Sequence, residues 1–266
     1  MKKLFALFLC LLLCTGCAQS YTSANGSNNH AESTTTPENQ NPYAESIIHA
    51  AEIPQQVLDF EAGLPVEEYF GFPTYYINSY MEGEQLTVAF RADKYALLEM
   101  ETYWLSETPY VPGSRYPEQS DCPRVCTQVV LREFGSGKLY RVVNVHLDHI
   151  GAYARKIGLE QVLRHVESAP FCPDAVTIIT GDYNTYPGDG EMGTFDNFPG
   201  YTNVTEGIGL TWHDFQGDNM EDTGNIDYIF VKGDVRCTHI EKWKHCENGV
   251  FLSDHYPVCA VLEFLE

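Results

Sequence analysis

The sequence predicts an α/β (α+β) layered domain, and three observations point to it. Near-continuous apolar runs such as Tyr140–His146 and Ala175–Gly181 suit strands of a sheet covered on both faces. Leu159, Val162, Leu163 and Val166 recur at helical spacing between two of those runs. Polar residues then cluster where the strands end, as they do when helices and strands alternate around one sheet.

The elements follow in order. Leu86–Arg91, Arg124–Leu131, Tyr140–His146, Ala175–Gly181, Ile226–Val231 and Pro257–Phe264 read as strands. Tyr153–Ser168 reads as an amphipathic helix, and Gln55–Phe60 as a weaker one. The folded domain spans residues 45–266. Residues 18–44 contain no Leu, Ile, Val, Met, Phe or Trp and are rich in Ser, Thr, Asn and Gln. Such a segment buries too little apolar area to offset its ordering entropy, so it reads as a flexible tether.

The chain has 266 residues, and 37 Asp+Glu against 16 Lys+Arg give a net charge of −21. That balance excludes tight nucleic-acid binding through bulk electrostatics, which needs Lys and Arg on phosphates. It does not exclude a nucleic-acid or phosphate-bearing substrate, because a bound cation can supply the positive field locally.

Residues 1–16 read as a signal peptide. Lys2 and Lys3 precede the apolar run Leu4–Leu13, which is too short for the roughly 20 residues that a membrane span needs. Cys17, directly after Thr15-Gly16, resembles a lipobox cysteine, with Cys14 where Leu is usual. The expected product is an extracytoplasmic lipoprotein, lipidated on Cys17 and anchored to the membrane by that lipid. An ordinary signal with a chance cysteine is the alternative. Cys237 and Cys246 flank a hairpin and could pair in an oxidising compartment, while buried free thiols are an equally good reading.

The polar clusters carry the chemistry. They are Asn144-Val145-His146-Leu147-Asp148-His149, then Gly181-Asp182-Tyr183-Asn184, Asp227-Tyr228, and Ser253-Asp254-His255. Residues two apart on a strand end lie on one side of the chain, and oxygen ligands with little Cys or His select Mg²⁺, Mn²⁺ or Ca²⁺ over zinc. Each cluster alone is a common turn sequence. In combination and order they resemble the endonuclease/exonuclease/phosphatase superfamily, and the stretch Trp104-Leu105-Ser106-Glu107-Thr108-Pro109 resembles a bacterial subgroup of it.

The resemblance implies a deoxyribonuclease-I-like fold, a four-layer sandwich of two mixed β-sheets flanked by helices. It also implies a metal-dependent phosphoesterase using Mg²⁺, with Mn²⁺ as the alternative cofactor. Asp182 and Asn184 would hold the attacking water and contact the phosphate. His255, oriented by Asp227, would stand beside the phosphoryl group, and His146 would donate to a phosphate oxygen. Glu52 and Asp254 would hold the metal. Asp148, His149, Arg155, Trp212 and His213 are candidate substrate contacts, each weighed against a structural role. The family's first strand and its Asn have no counterpart, since Ser46–Glu52 matches the second strand and Ala51 replaces the usual Gln. The expected substrate is a phosphorylated small molecule, lipid or nucleotide. A binding module that keeps the fold without catalysis is the rival reading, and a secreted nuclease the third.

Overall fold

The computed structural model describes residues 86–219, 224–251 and 253–265, with the backbone of two short strands before them. These are β1 (Ile48–His49) and β2 (Thr74–Ile77). There follow β3 (Val88–Arg91), β4 (Tyr95–Trp104), β5 (Val125–Glu133), β6 (Leu139–His146), helix α1 (Ala152–Ser168) and β7 (Val176–Asp182). The chain continues through β8 (Thr202–Asn203), β9 (Asp227–Lys232), β10 (Val235–Lys242), β11 (Cys246–Glu247), β12 (Val250–Phe251) and β13 (Val258–Phe264).

A seven-stranded mixed sheet, ordered β1-β4-β5-β6-β7-β9-β8, forms the centre. Its inner pair β6 and β7 is parallel, with α1 as the crossover, and the other pairs are antiparallel. Period-2 alternation sorts the side chains onto two faces. Tyr103, Cys126, Val143, Val145, Ile179, Tyr228 and Phe230 face α1, meeting Leu159, Val162, Leu163 and Val166. Each fully buried aliphatic side chain there contributes roughly 1.5–3 kcal/mol.

The opposite face carries the second β layer. Ile178, Ile229 and Val231 pack on Val258, Ala260 and Leu262 of the β10–β13 hairpin. Val129, Leu131, Tyr140 and Val142 pack on Val88 and Phe90 of β3, which pairs with β2. Three of the four expected layers thus lie among the described residues, and the second β layer consists there of antiparallel pairs.

The predicted strands and the helix all occur, with ends moved by one or two residues. Two strands of eight residues or more escaped the apolar patterning. β4, the longest, carries Glu99 and Glu101 and so lacks an unbroken apolar run; β10 is half-exposed and charged along its length. Strand β4 accommodates Glu101 in the interior by giving it donors, Tyr110 Oη at 2.5 Å and His165 Nε2 at 2.6 Å. The predicted helix Gln55–Phe60 lies outside the described residues. β1 falls within the stretch matched to the family's second strand and pairs with β4 through Ile48↔Met100. The seven strands are contiguous, so an absent inner strand leaves no gap in this sheet. Among the described residues, β13 pairs with β10 alone.

Cys237 and Cys246 carry no disulfide, so the Cys237–Cys246 pairing does not form. Cys246 instead opens the small β11–β12 hairpin.

Candidate active site

The layered fold places the chemistry through register. β6 and β7 end together, and antiparallel β9 begins at the same level. His146 is therefore in register with Asp182, and Asp182 with Asp227. Alternation turns all three toward the second β layer, because Ile178 on β7 and Ile229 on β9 share that face. His255 reaches the row from the segment just ahead of β13, held by an antiparallel bridge to Trp212.

The result is a compact buried group. His146 Nε2 lies 3.3 Å from Asp182 Oδ2, and His255 Nε2 lies 3.7 Å from the same oxygen. His255 Nδ1 hydrogen-bonds Asp227 Oδ2 at 2.9 Å. All four residues are buried, with exposures of 2–6%. Asp182 Oδ1 accepts the Asn184 N–H at 2.8 Å, and the Asn184 side-chain amide donates to Leu147 O at 2.9 Å. Asn184 takes a left-handed φ of 48°, a conformation that Asn tolerates better than most residues. Gly181 is required by contact: a Cβ there would sit 1.8 Å from Val145 O, on the neighbouring strand. Only hydrogen lets β7 approach β6 closely enough to bring Asp182 beside His146.

The electrostatics follow from burial and charge. Burial opposes ionisation of Asp182, but His146, then His255 and the Asn184 N–H, outweigh it and hold this carboxyl below the usual range. Burial alone would lower His255, yet the Asp227 hydrogen bond and the charges of Asp227, Asp182 and Asp254 push it up to about 9. Asp227 is raised, by burial first and by Asp182 among its neighbours, against the opposing pull of His255. The two raised groups are one fact: the Asp227–His255 pair binds a proton tightly between Oδ2 and Nδ1. At neutral pH His255 is the imidazolium.

Asp182, Asp227 and His255 offer ligand atoms within 4.8 Å of one another. Two carboxylates against one imidazolium leave a negative charge over, and Asp227 Oδ1 is buried without a hydrogen-bond partner. A hard cation fits the two carboxylates, whereas His255 as the imidazolium has no lone pair to offer it.

The structure gives the other candidates different places. Asp148 is buried, and its carboxylate takes Ser120 N at 3.1 Å, the Ser120 hydroxyl, Ile150 N at 3.1 Å and Gly151 N at 2.7 Å. It fixes the start of α1 and has no capacity left for substrate. Arg155 is committed to Glu191, at 2.7 Å and 3.0 Å, and to Asp148 O, so it is not a free phosphate ligand. His213 is 0% exposed and packs against Tyr256 and Phe251 at ring distances of 4.1 and 4.5 Å, which rules out stacking on a base or sugar. Trp212 is half-buried and backs His255. His149 stays exposed; its Nδ1 lies 2.8 Å from Arg124 Nη2, and since a guanidinium only donates, Nδ1 accepts and Nε2–H faces outward. Asp254 is half-buried next to His255, and its carbonyl accepts the His213 N–H at 2.8 Å. Glu52 lies outside the described residues.

Sequence reasoning missed Thr211. Its hydroxyl accepts the N–H groups of Ile226 at 3.0 Å and Asp227 at 3.2 Å. Nothing in the spacing of Thr211 and Asp227 signals that contact, which exists only once the loop folds back.

The layered α/β fold thus carries an Asp–His group at adjoining strand ends. The chain belongs to the endonuclease/exonuclease/phosphatase family, whose model matches residues 66–255. Glu52 precedes that span. Among solved structures, an endonuclease/exonuclease/phosphatase from Bacteroides vulgatus is 27% identical, with a TM-score of 0.67 over 79% of this chain and 81% of that one. A Bacteroides thetaiotaomicron mannosyl-6-phosphatase is 25% identical, with a TM-score of 0.66 over 79% and 82%. D. rerio TDP2, complexed with a single-stranded DNA product, is 18% identical at a TM-score of 0.58 over 75% and 80%, a likeness of fold alone. No curated protein matches the chain. Members of the family are generally hydrolases of phosphoesters, and the buried acid–histidine group here could hold a metal ion.

Proposed function

We propose that this protein is a divalent-metal-dependent phosphoesterase that works outside the cytoplasm, tethered to the membrane through a lipid on Cys17. The observation that carries the catalytic reading is the register row His146–Asp182–Asp227 closed by His255. A bound Mg²⁺ or Mn²⁺ would neutralise charge on the phosphoryl oxygens. Asp254 and Glu52 would hold it, with Asp182 and Asp227 offering further oxygens toward the same centre.

The chain's own groups do the rest. Asp182, ionised at neutral pH, orients the attacking water and accepts its hydrogen bond. Asn184, through the amide hydrogen and Oδ1 not used in its bond to Leu147 O, would contact the water or the phosphate. His255, kept protonated by Asp227, donates toward an equatorial oxygen as negative charge develops there, and His146 does the same from the far side of Asp182.

Likeness to a mannosyl-6-phosphatase supports a sugar phosphomonoester as the first substrate to test. Purified protein is assayed on mannose 6-phosphate and on a generic phosphodiester, each with Mg²⁺, with Mn²⁺ and with excess chelator. Hydrolysis that stops in chelator is the expected result, and turnover that persists there sinks the metal mechanism. The address is tested by metabolic labelling with a radiolabelled fatty acid, which Cys17→Ala is expected to abolish.

A further inference from the structure

The Asp227–His255 pair is made from two segments that approach each other only in the folded protein. Between them runs the extended stretch Thr211-Trp212-His213. On one side Tyr256 N donates to Thr211 O at 2.7 Å, His213 N donates to Asp254 O at 2.8 Å, and Trp212 bridges His255. On the other side the Thr211 hydroxyl accepts the N–H groups of Ile226 and Asp227. Both lone pairs of that oxygen are thus engaged. Thr211 is 0% exposed, so no water competes for these bonds.

We propose that Thr211 is the positioning residue that sets the geometry of the Asp227–His255 pair, holding the His255 segment with its carbonyl and Asp227 with its hydroxyl. This rests on the reading of that pair as the charge-stabilising donor of the reacting centre. Thr211 reaches the reaction only through its neighbours. Its loss costs rate more than binding, because a small misplacement of a catalytic group acts on the transition state.

The test uses the full-length protein carrying Thr211→Val, which keeps the shape and removes the hydroxyl, and Thr211→Ser, which keeps the hydroxyl. Two readouts are taken: kcat and KM for phosphoester hydrolysis, and the low-field proton resonance of the His255 Nδ1–H, assigned by its absence in His255→Gln. Thr211→Ser is expected to stay within about threefold of wild-type kcat and to keep the resonance. Thr211→Val is expected to lose about 30-fold or more in kcat, with KM within about threefold, and to shift or lose the resonance. Wild-type kcat and an unmoved resonance in Thr211→Val would overturn the proposal; so would a lost kcat with the resonance unmoved. If Thr211→Val does not fold, Thr211→Ser decides, and a serine variant that misfolds or loses the resonance overturns the role of the hydroxyl. Should the wild type hydrolyse no phosphoester, the resonance still tests Thr211, and the missing turnover counts against the enzymatic reading alone.

Discussion

Asp148 and Asp227 are both 2% exposed, and both lie near a histidine, yet they stand in opposite electrostatic conditions. Asp148 receives donors from Ser120, Ile150 and Gly151, which together overcome its burial and hold its carboxyl below the usual range; Arg124 lies 3.8 Å away. Asp227 has one oxygen on His255 and the other without a hydrogen-bond partner, and burial beside Asp182 raises its carboxyl. A saturated carboxylate shapes a loop. An undersaturated one, held in place by the sheet, keeps capacity for a proton, a cation or a substrate. The same contrast separates Arg155, tied to Glu191, from the histidines of the row.

The sharpest way to break this contrast is to remove each member and ask whether folding or chemistry fails. Asp182→Ala and His255→Ala are expected to lower kcat by roughly a thousandfold or more, the scale reached when a positioned acid–base or charge-stabilising group is lost. Circular dichroism should show the native fold in both. Near-native rates in either variant would mean that the row is not the reacting centre.

Asp148→Ala should do the reverse. Four donors and a neighbouring guanidinium lose their acceptor, a loss of about 3 kcal/mol by the usual scale for breaking a buried charged network. Denaturant titration measures the stability, and kcat per folded molecule should stay within a few fold of wild type. A stable Asp148→Ala protein with lost activity would move Asp148 back among the substrate contacts.

The pH dependence of stability sharpens the comparison further. His255 stands at about 9 in the folded protein, above the ordinary value of about 6.5 in an unfolded chain. A raised histidine stabilises fully below its unfolded pKa and loses that contribution as pH rises through the folded one. In chelator, stability should therefore fall between about pH 6.5 and 9 by an amount on the order of 3 kcal/mol, and His255→Gln should flatten that fall. A wild-type profile parallel to that of His255→Gln would show that the pair does not hold its proton.

The smallest effect is expected at Arg155. Arg155→Gln removes an ion pair that is only about a tenth exposed, and should cost about 1–2 kcal/mol while leaving KM for a phosphate substrate unchanged. A severalfold rise in KM would restore Arg155 as a phosphate contact.

The sequence alone determined the parts of this protein whose signal is local. Apolar periodicity gave the core strands and α1, because alternation and helical spacing are how a chain buries one face. The order of the four polar clusters gave the family, since each cluster sits within a few residues of a strand end. β4 and β10 escaped because tertiary contacts, not apolar runs, stabilise them; Glu101 is tolerated in the interior only because Tyr110 and His165 arrive from elsewhere in the chain. Only the tertiary structure could decide the roles of Asp148, Arg155, His213 and Thr211. Whether a polar side chain is spent or available depends on which donors and acceptors meet it, and here those partners come from segments as far apart as Thr211 and Asp227, or Asp227 and His255.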